Sequence, residues 1–100
     1  AMAGPSGQDY FNAAVYYLQE GKDLNKAKEW IDKAIAMSVS AQNPDKPFWM
    51  LRQKSLIHAK MGDKAGAIAT AKESLTLSKK AGNADYVKLN EDSLKEWGSK

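Results

Sequence analysis

Residues 10–37 read YFNAAVYYLQEGKDLNKAKEWIDKAIAM, and the alternation of large and small side chains along this stretch decides the fold. Ala13 and Ala14 lie between Tyr10 and Tyr17, Gly21 interrupts the run, and Ala27, Ile31 and Ala34 then recur at helical spacing. Residues three and four apart share one face of a helix, so the stretch predicts two helices joined by a turn. Small side chains on one helix leave gaps that large ones on the other can enter, the condition for ridges to pack into grooves.

Upstream, Ser6 and Asp9 have the spacing of a capping box, which starts the first helix there and runs it to Glu20. Its apolar residues form two stripes: Tyr10, Ala13, Ala14 and Tyr17 against the second helix, and Phe11, Val15 and Leu18 against something else. Asp23 or Asn25 can cap the second helix, whose Glu29 and Lys33 have the spacing of an exposed ion pair. The segment SVSAQNPDKP ends it. Pro47 suits the first turn of a third helix, capped by Asp45 or Lys46 and ending at Met61 before Gly62. A fourth helix, from about Lys64 to Ala81, brings Ala67, Ala71, Ser74, Leu75 and Leu77 inward, with Lys79 and Lys80 at its negative end and Gly82 as terminator. A fifth, from Ala84 to Trp97 behind Asn83, places Tyr86, Leu89, Ser93, Leu94 and Trp97 on its inner side.

These residues resemble the tetratricopeptide repeat. Tyr10, Ala14, Tyr17, Gly21, Ala27, Ile31 and Ala34 match its aromatic, small and turn positions, while Ala13 stands where leucine is usual and the first turn is one residue longer. In the second copy Ser55, Gly62, Ala67 and Ala71 match, but Lys54 and His58 replace a bulky apolar residue and an aromatic. The expected architecture is all-α, an α-α superhelix of two such repeats plus a C-terminal capping helix. Residues 1–7 are read as a tag remnant, 8–42 as the first repeat, 43–82 as the second, and 83–100 as the capping helix and tail. The segments YYLQEGKDLNKAKEWIDKAI, FWMLRQKSLIHAKMGDKAGAI and AGNADYVKLNEDSLKEW also resemble the C-terminal part of a bacterial family of exported proteins of unknown function. That resemblance implies a helical module from a longer exported protein, and supplies no activity.

Composition bounds the chemistry. One hundred residues, 43% apolar and 27% charged, suffice for one small domain. No run of about twenty apolar residues exists to span a membrane. Without cysteine there are no disulfides, thiolate nucleophiles or zinc-thiolate sites. The net charge of +3 comes from scattered lysines with Arg52 as the one arginine, which argues against nucleic acid, where clustered bases and arginine forks are usual. His58 has no second histidine and no acid at ligand spacing, so it is read as structural, and no cofactor or metal is expected. Neither GKD nor GDKAG has the Gly-Lys-Ser/Thr ending of a phosphate loop, and no hydroxyl or lysine has a paired base, so no enzyme is expected.

What remains is a surface. The repeat resemblance implies a concave face lined by the first helix of each repeat, which selects Phe11, Val15, Leu18, Trp49, Arg52, Leu56 and Val87 as partner-binding residues. Such an apolar groove with one arginine suits an extended or helical peptide. Some repeats of this type hold a C-terminal carboxylate through lysine and asparagine on the first helix, but Phe11 and Val15 stand at those positions here. The expected function is therefore a noncatalytic module that binds a protein or peptide. The alternative is an assembly element that packs on a neighbouring domain or forms a homodimer.

Overall fold

The computed structural model describes residues 6–98, and the local signals set its boundaries. Ser6 accepts from the Asp9 N–H at 3.2 Å while the Asp9 carboxylate accepts from the Ser6 N–H at 2.9 Å, starting α1 (Gly7–Glu20). The capping box expected at Ser6 and Asp9 is thus where the first helix begins; residues 1–5 lie outside the described residues. Gly21 ends α1 at φ 66°, a left-handed conformation that costs glycine no steric clash. Asp23 then accepts from the backbone of Asn25 and Lys26 to start α2 (Leu24–Ser38). Asp63 and Asn83 do the same for α4 (Lys64–Lys80) and α5 (Ala84–Glu96). The longer first turn is explained at once, because Lys22 separates Gly21 from its cap whereas Gly62 and Gly82 directly precede theirs.

The helix α3 (Phe48–Lys60) starts differently. Pro47 is not in its first turn but is the cap residue itself, extended at ψ 123°, and its carbonyl accepts from the N–H groups of Met50 and Leu51. Asp45 and Lys46 do not cap α3: Asp45 pairs with Lys80 at 2.7 Å, and Lys46, whose ammonium has no acceptor to offer a helix start, pairs with Glu73 at 3.2 Å. The segment between α2 and α3 is thereby strapped onto α4.

The helices stack in chain order, α1 on α2, α2 on α3, α3 on α4 and α4 on α5, with α1 also touching α3 and α3 touching α5. The architecture is all-α, two helical hairpins closed by a fifth helix, with no strand among the described residues. Its apolar cluster joins Ala14 and Leu18 of α1 with Ala27, Ile31, Ala34 and Ile35 of α2 and Met50, Leu51 and Ile57 of α3. Of the small residues in 10–37, Ala14, Ala27 and Ala34 are fully buried between the helices, while Tyr10 and Tyr17 are half-buried beside them. On α2 the ion pair is Lys28 with Asp32, not Glu29 with Lys33, and Asp32 also takes Lys54 of α3 at 2.7 Å. Lys54, out of place in a repeat pattern, is thus absorbed as an ion pair between hairpins.

The second hairpin is packed differently. Ala67 and Ala71 are joined at its interface by the buried hydroxyl residues Ser55, Ser74 and Ser78. Each hydroxyl donates to a main-chain carbonyl, Ser55 to Arg52 at 2.6 Å, Ser74 to Phe48 at 2.8 Å and Ser78 to Leu75 at 3.0 Å. A buried hydroxyl so satisfied is tolerated where a larger side chain would not fit. The sequence pattern is corrected at α5. Leu89 is 43% exposed, and the residue buried in its place is Asn90, whose Nδ2 donates to Ser74 Oγ at 2.9 Å. Helix α5 is turned so that it meets a hydroxyl-rich surface with an amide.

Gly66, in the first turn of α4, leaves no room for a side chain. A Cβ there would collide with the Asp63 carboxylate and lie 2.9 Å from His58 Nδ1, and those two side chains are themselves 3.0 Å apart. The Gly66 N–H, aided by the neighbouring His58, holds the Asp63 carboxyl below the usual carboxylate range. The cap's contribution is therefore present above the ordinary carboxylate pKa and is lost as pH falls through the lower folded value. Gly66→Ala, which in an open helix would stabilise by about 1 kcal/mol, is expected to give no gain because it expels the Asp63 cap. In an Asp63→Ala background the same change should recover only part of that gain, because His58 Nδ1 still lies 2.9 Å from the new Cβ, and urea melts of the four proteins give the comparison. Equal effects of Gly66→Ala in both backgrounds would contradict it.

Candidate protein-docking surface

The helices α1, α3 and α5 share one side of the stack, and a groove of about 610 Å³ opens between them. Leu18 and Gln19 enter it from α1, Gln53, Leu56, Ala59 and Lys60 from α3, and Glu96 and Trp97 from the end of α5. Its lining mixes the apolar Leu18, Leu56, Ala59 and Trp97 with polar side chains. The two amides can each donate and accept, and Lys60 and Glu96 bring opposite charges to its lining.

The seven residues selected from the sequence do not all converge there. Leu18 and Leu56 line the groove, although Leu18 is itself nearly covered and counts in the apolar cluster. Phe11 is half-buried against the same cluster, and Val15 is half-buried on the same stripe of α1. Trp49 is 41% exposed and lies edge-on to Phe48, with ring centres 5.1 Å apart. It lines a separate cleft of about 320 Å³ with Pro47, Leu77 and Lys80. Val87 lies in a shallow depression beside Lys79, Ala84 and Glu91. Arg52 is engaged within the molecule: its Nη1 donates to Ser93 Oγ at 2.6 Å and to the Leu89 carbonyl at 3.1 Å, tying α3 to α5. Burial pushes its pKa below the ordinary arginine value, while Tyr86, Asp92 and Glu96 act in the opposite sense.

Sequence reasoning misses Gln19, Gln53, Ala59, Lys60, Glu96 and Trp97 as lining residues. Gln53 and Ala59 flank Leu56 at three-residue spacing, so extending its stripe along α3 would have found them. Trp97, assigned to the core by its place on α5, is half-buried and forms a wall. His58 is buried, with Nδ1 on Asp63, and joins the end of α3 to the start of α4. Among the described residues no group of three or more acids and histidines is placed to hold a metal, and no helix is long and apolar enough to cross a membrane. Comparison with family models, with curated proteins and with solved structures finds no match.

Proposed function

We propose that the chain is a noncatalytic protein-interaction module of tetratricopeptide type, which takes a peptide segment of a partner protein in the groove between α1, α3 and α5. The observation that carries this reading is the composition of that groove. Leu18, Leu56, Ala59 and Trp97 supply apolar contact, and Gln19 and Gln53 supply paired donors and acceptors of the kind a peptide main chain satisfies. The groove is open along its length, with about 610 Å³ above its lining, so it suits an extended segment laid on the surface rather than an enclosed ligand. The exposed Trp49 and the depression at Val87 lie outside the groove and are not needed by it.

Selection of a random peptide library on the protein, with counter-selection on Leu56→Glu, tests the reading directly. Peptides retained by the wild-type chain should bind Leu56→Glu more than about tenfold more weakly, since a charge then replaces an apolar lining residue. Trp97→Ala should weaken them by a similar factor, with the helical circular dichroism of both variants intact. Failure to enrich any peptide over the Leu56→Glu control would overturn the proposal.

A further inference from the structure

Among the described residues helix α5, like α4, contributes no buried residue to the apolar cluster, and polar groups make up much of what ties it to the stack. The cluster draws on α1, α2 and α3, with Leu77 of α4 packed against it. What α5 buries is Leu94 and Asn90, with Tyr86 edge-on to Phe48 at 5.2 Å. Its long-range hydrogen bonds are polar ties, Asn90 to Ser74 and Arg52 to Ser93 and the Leu89 carbonyl.

Docking also carries two costs. Asn90 is fully buried, yet its Oδ1 accepts no hydrogen bond. A buried acceptor without a donor is destabilising relative to the same group in water. Arg52 must shed part of its hydration to reach α5, which is the main cause of its lowered pKa. Both penalties disappear when α5 lifts away, and neither affects α1 or α2.

We infer that α5 is a latch that opens as a unit while α1, α2 and α3 stay folded, and that its opening dismantles one wall of the groove. The wall is Glu96 and Trp97 at the end of α5, facing Leu18 and Leu56. The coupling to binding rests on the function proposed above, whereas the opening itself does not. A ligand that contacts the wall binds only the latched state, and by linkage it must hold α5 closed. The buried amide sets the balance, because docking satisfies its Nδ2 and strands its Oδ1.

Hydrogen exchange on the free protein tests the latch. Amides of α5 around Leu89 to Leu94 should share one opening event. They should exchange at least about tenfold faster than amides around Ile31, with a weaker denaturant dependence than global unfolding. Asn90→Leu keeps the branched shape, removes the stranded acceptor and leaves Ser74 bonded to the Phe48 carbonyl. It should slow α5 exchange, while Ser93→Ala should speed it, each severalfold and without change around Ile31. Exchange of α5 at the same rate as α2, or faster exchange in Asn90→Leu, would overturn the latch whatever the groove binds. A peptide recovered by the selection should slow α5 exchange in proportion to its saturation. If a peptide binds but leaves α5 exchange unchanged, the coupling is refuted and the groove reading stands.

Discussion

Ile31→Ala is expected to remove about 3 to 4 kcal/mol of stability, the middle of the range for isoleucine truncation in a core. The side chain is fully buried in the cluster that joins α1, α2 and α3. Its neighbours along the repeat pattern are Ala14, Ala27 and Ala34, whose methyl groups have no rotamers with which to fill the space left behind. The cavity should therefore persist, and its cost adds to the lost transfer free energy. In a domain of this size such a loss is a large share of a total of about 5 to 15 kcal/mol. Urea melts with an unchanged slope would measure it, and a loss below about 1 kcal/mol would show that Ile31 is not the centre of the packing.

Removing residues 83–100 should have the other large effect, of a different kind. Without α5, the Phe48 ring loses Tyr86, Ser74 loses Asn90, and Arg52 loses both its acceptors. The hydroxyl-rich inner surface of the second hairpin then faces water beside newly bared apolar groups, as happens in a repeat stack deprived of its terminal cap. The expected outcome is a chain that keeps the helicity of α1, α2 and α3, melts over a broader range and gains mass with concentration in light scattering. A truncated chain that remains monomeric and melts as sharply as the whole would make α5 an appendage.

Much of this fold is legible because its signals are local. Ser6 with Asp9, and Asp23, Asp63 and Asn83 as caps, act on backbone groups two or three residues away, so sequence spacing contains the whole interaction. The same holds for Gly21, Gly62 and Gly82, each in the left-handed region where it ends a helix. Helix α5 defeats the method for the converse reason. Hydropathy would bury Leu89 and expose Asn90, but the surface offered by α4 contains the Ser74 hydroxyl, and the Leu89 carbonyl is drawn to Arg52. Which face turns inward is then set by the chemistry of a distant helix. Pro47 is similar, since in the folded protein Asp45 and Lys46 pair with Lys80 and Glu73 of α4 and the start of α3 is left to the Pro47 carbonyl.

The groove was legible only in part. Leu18 and Leu56 were found because each continues an apolar stripe on its own helix. Nothing along the chain says that the end of α5 comes to face them, and Trp97 was therefore counted as core. Arg52 has an exposed pattern on α3, yet its guanidinium is taken up by partners near the other end of the chain.

Each member of the buried apolar cluster precedes Gly62 in the chain, so a growing polypeptide has made all of it before α4 emerges. Neighbour-to-neighbour contacts mean that no helix waits for a partner synthesised much later. In vectorial synthesis α1, α2 and α3 can condense first, α4 is then laid onto α3, and α5 closes last. Among these five helices, an α5 that lifted away first would reverse the order in which the chain lays them down.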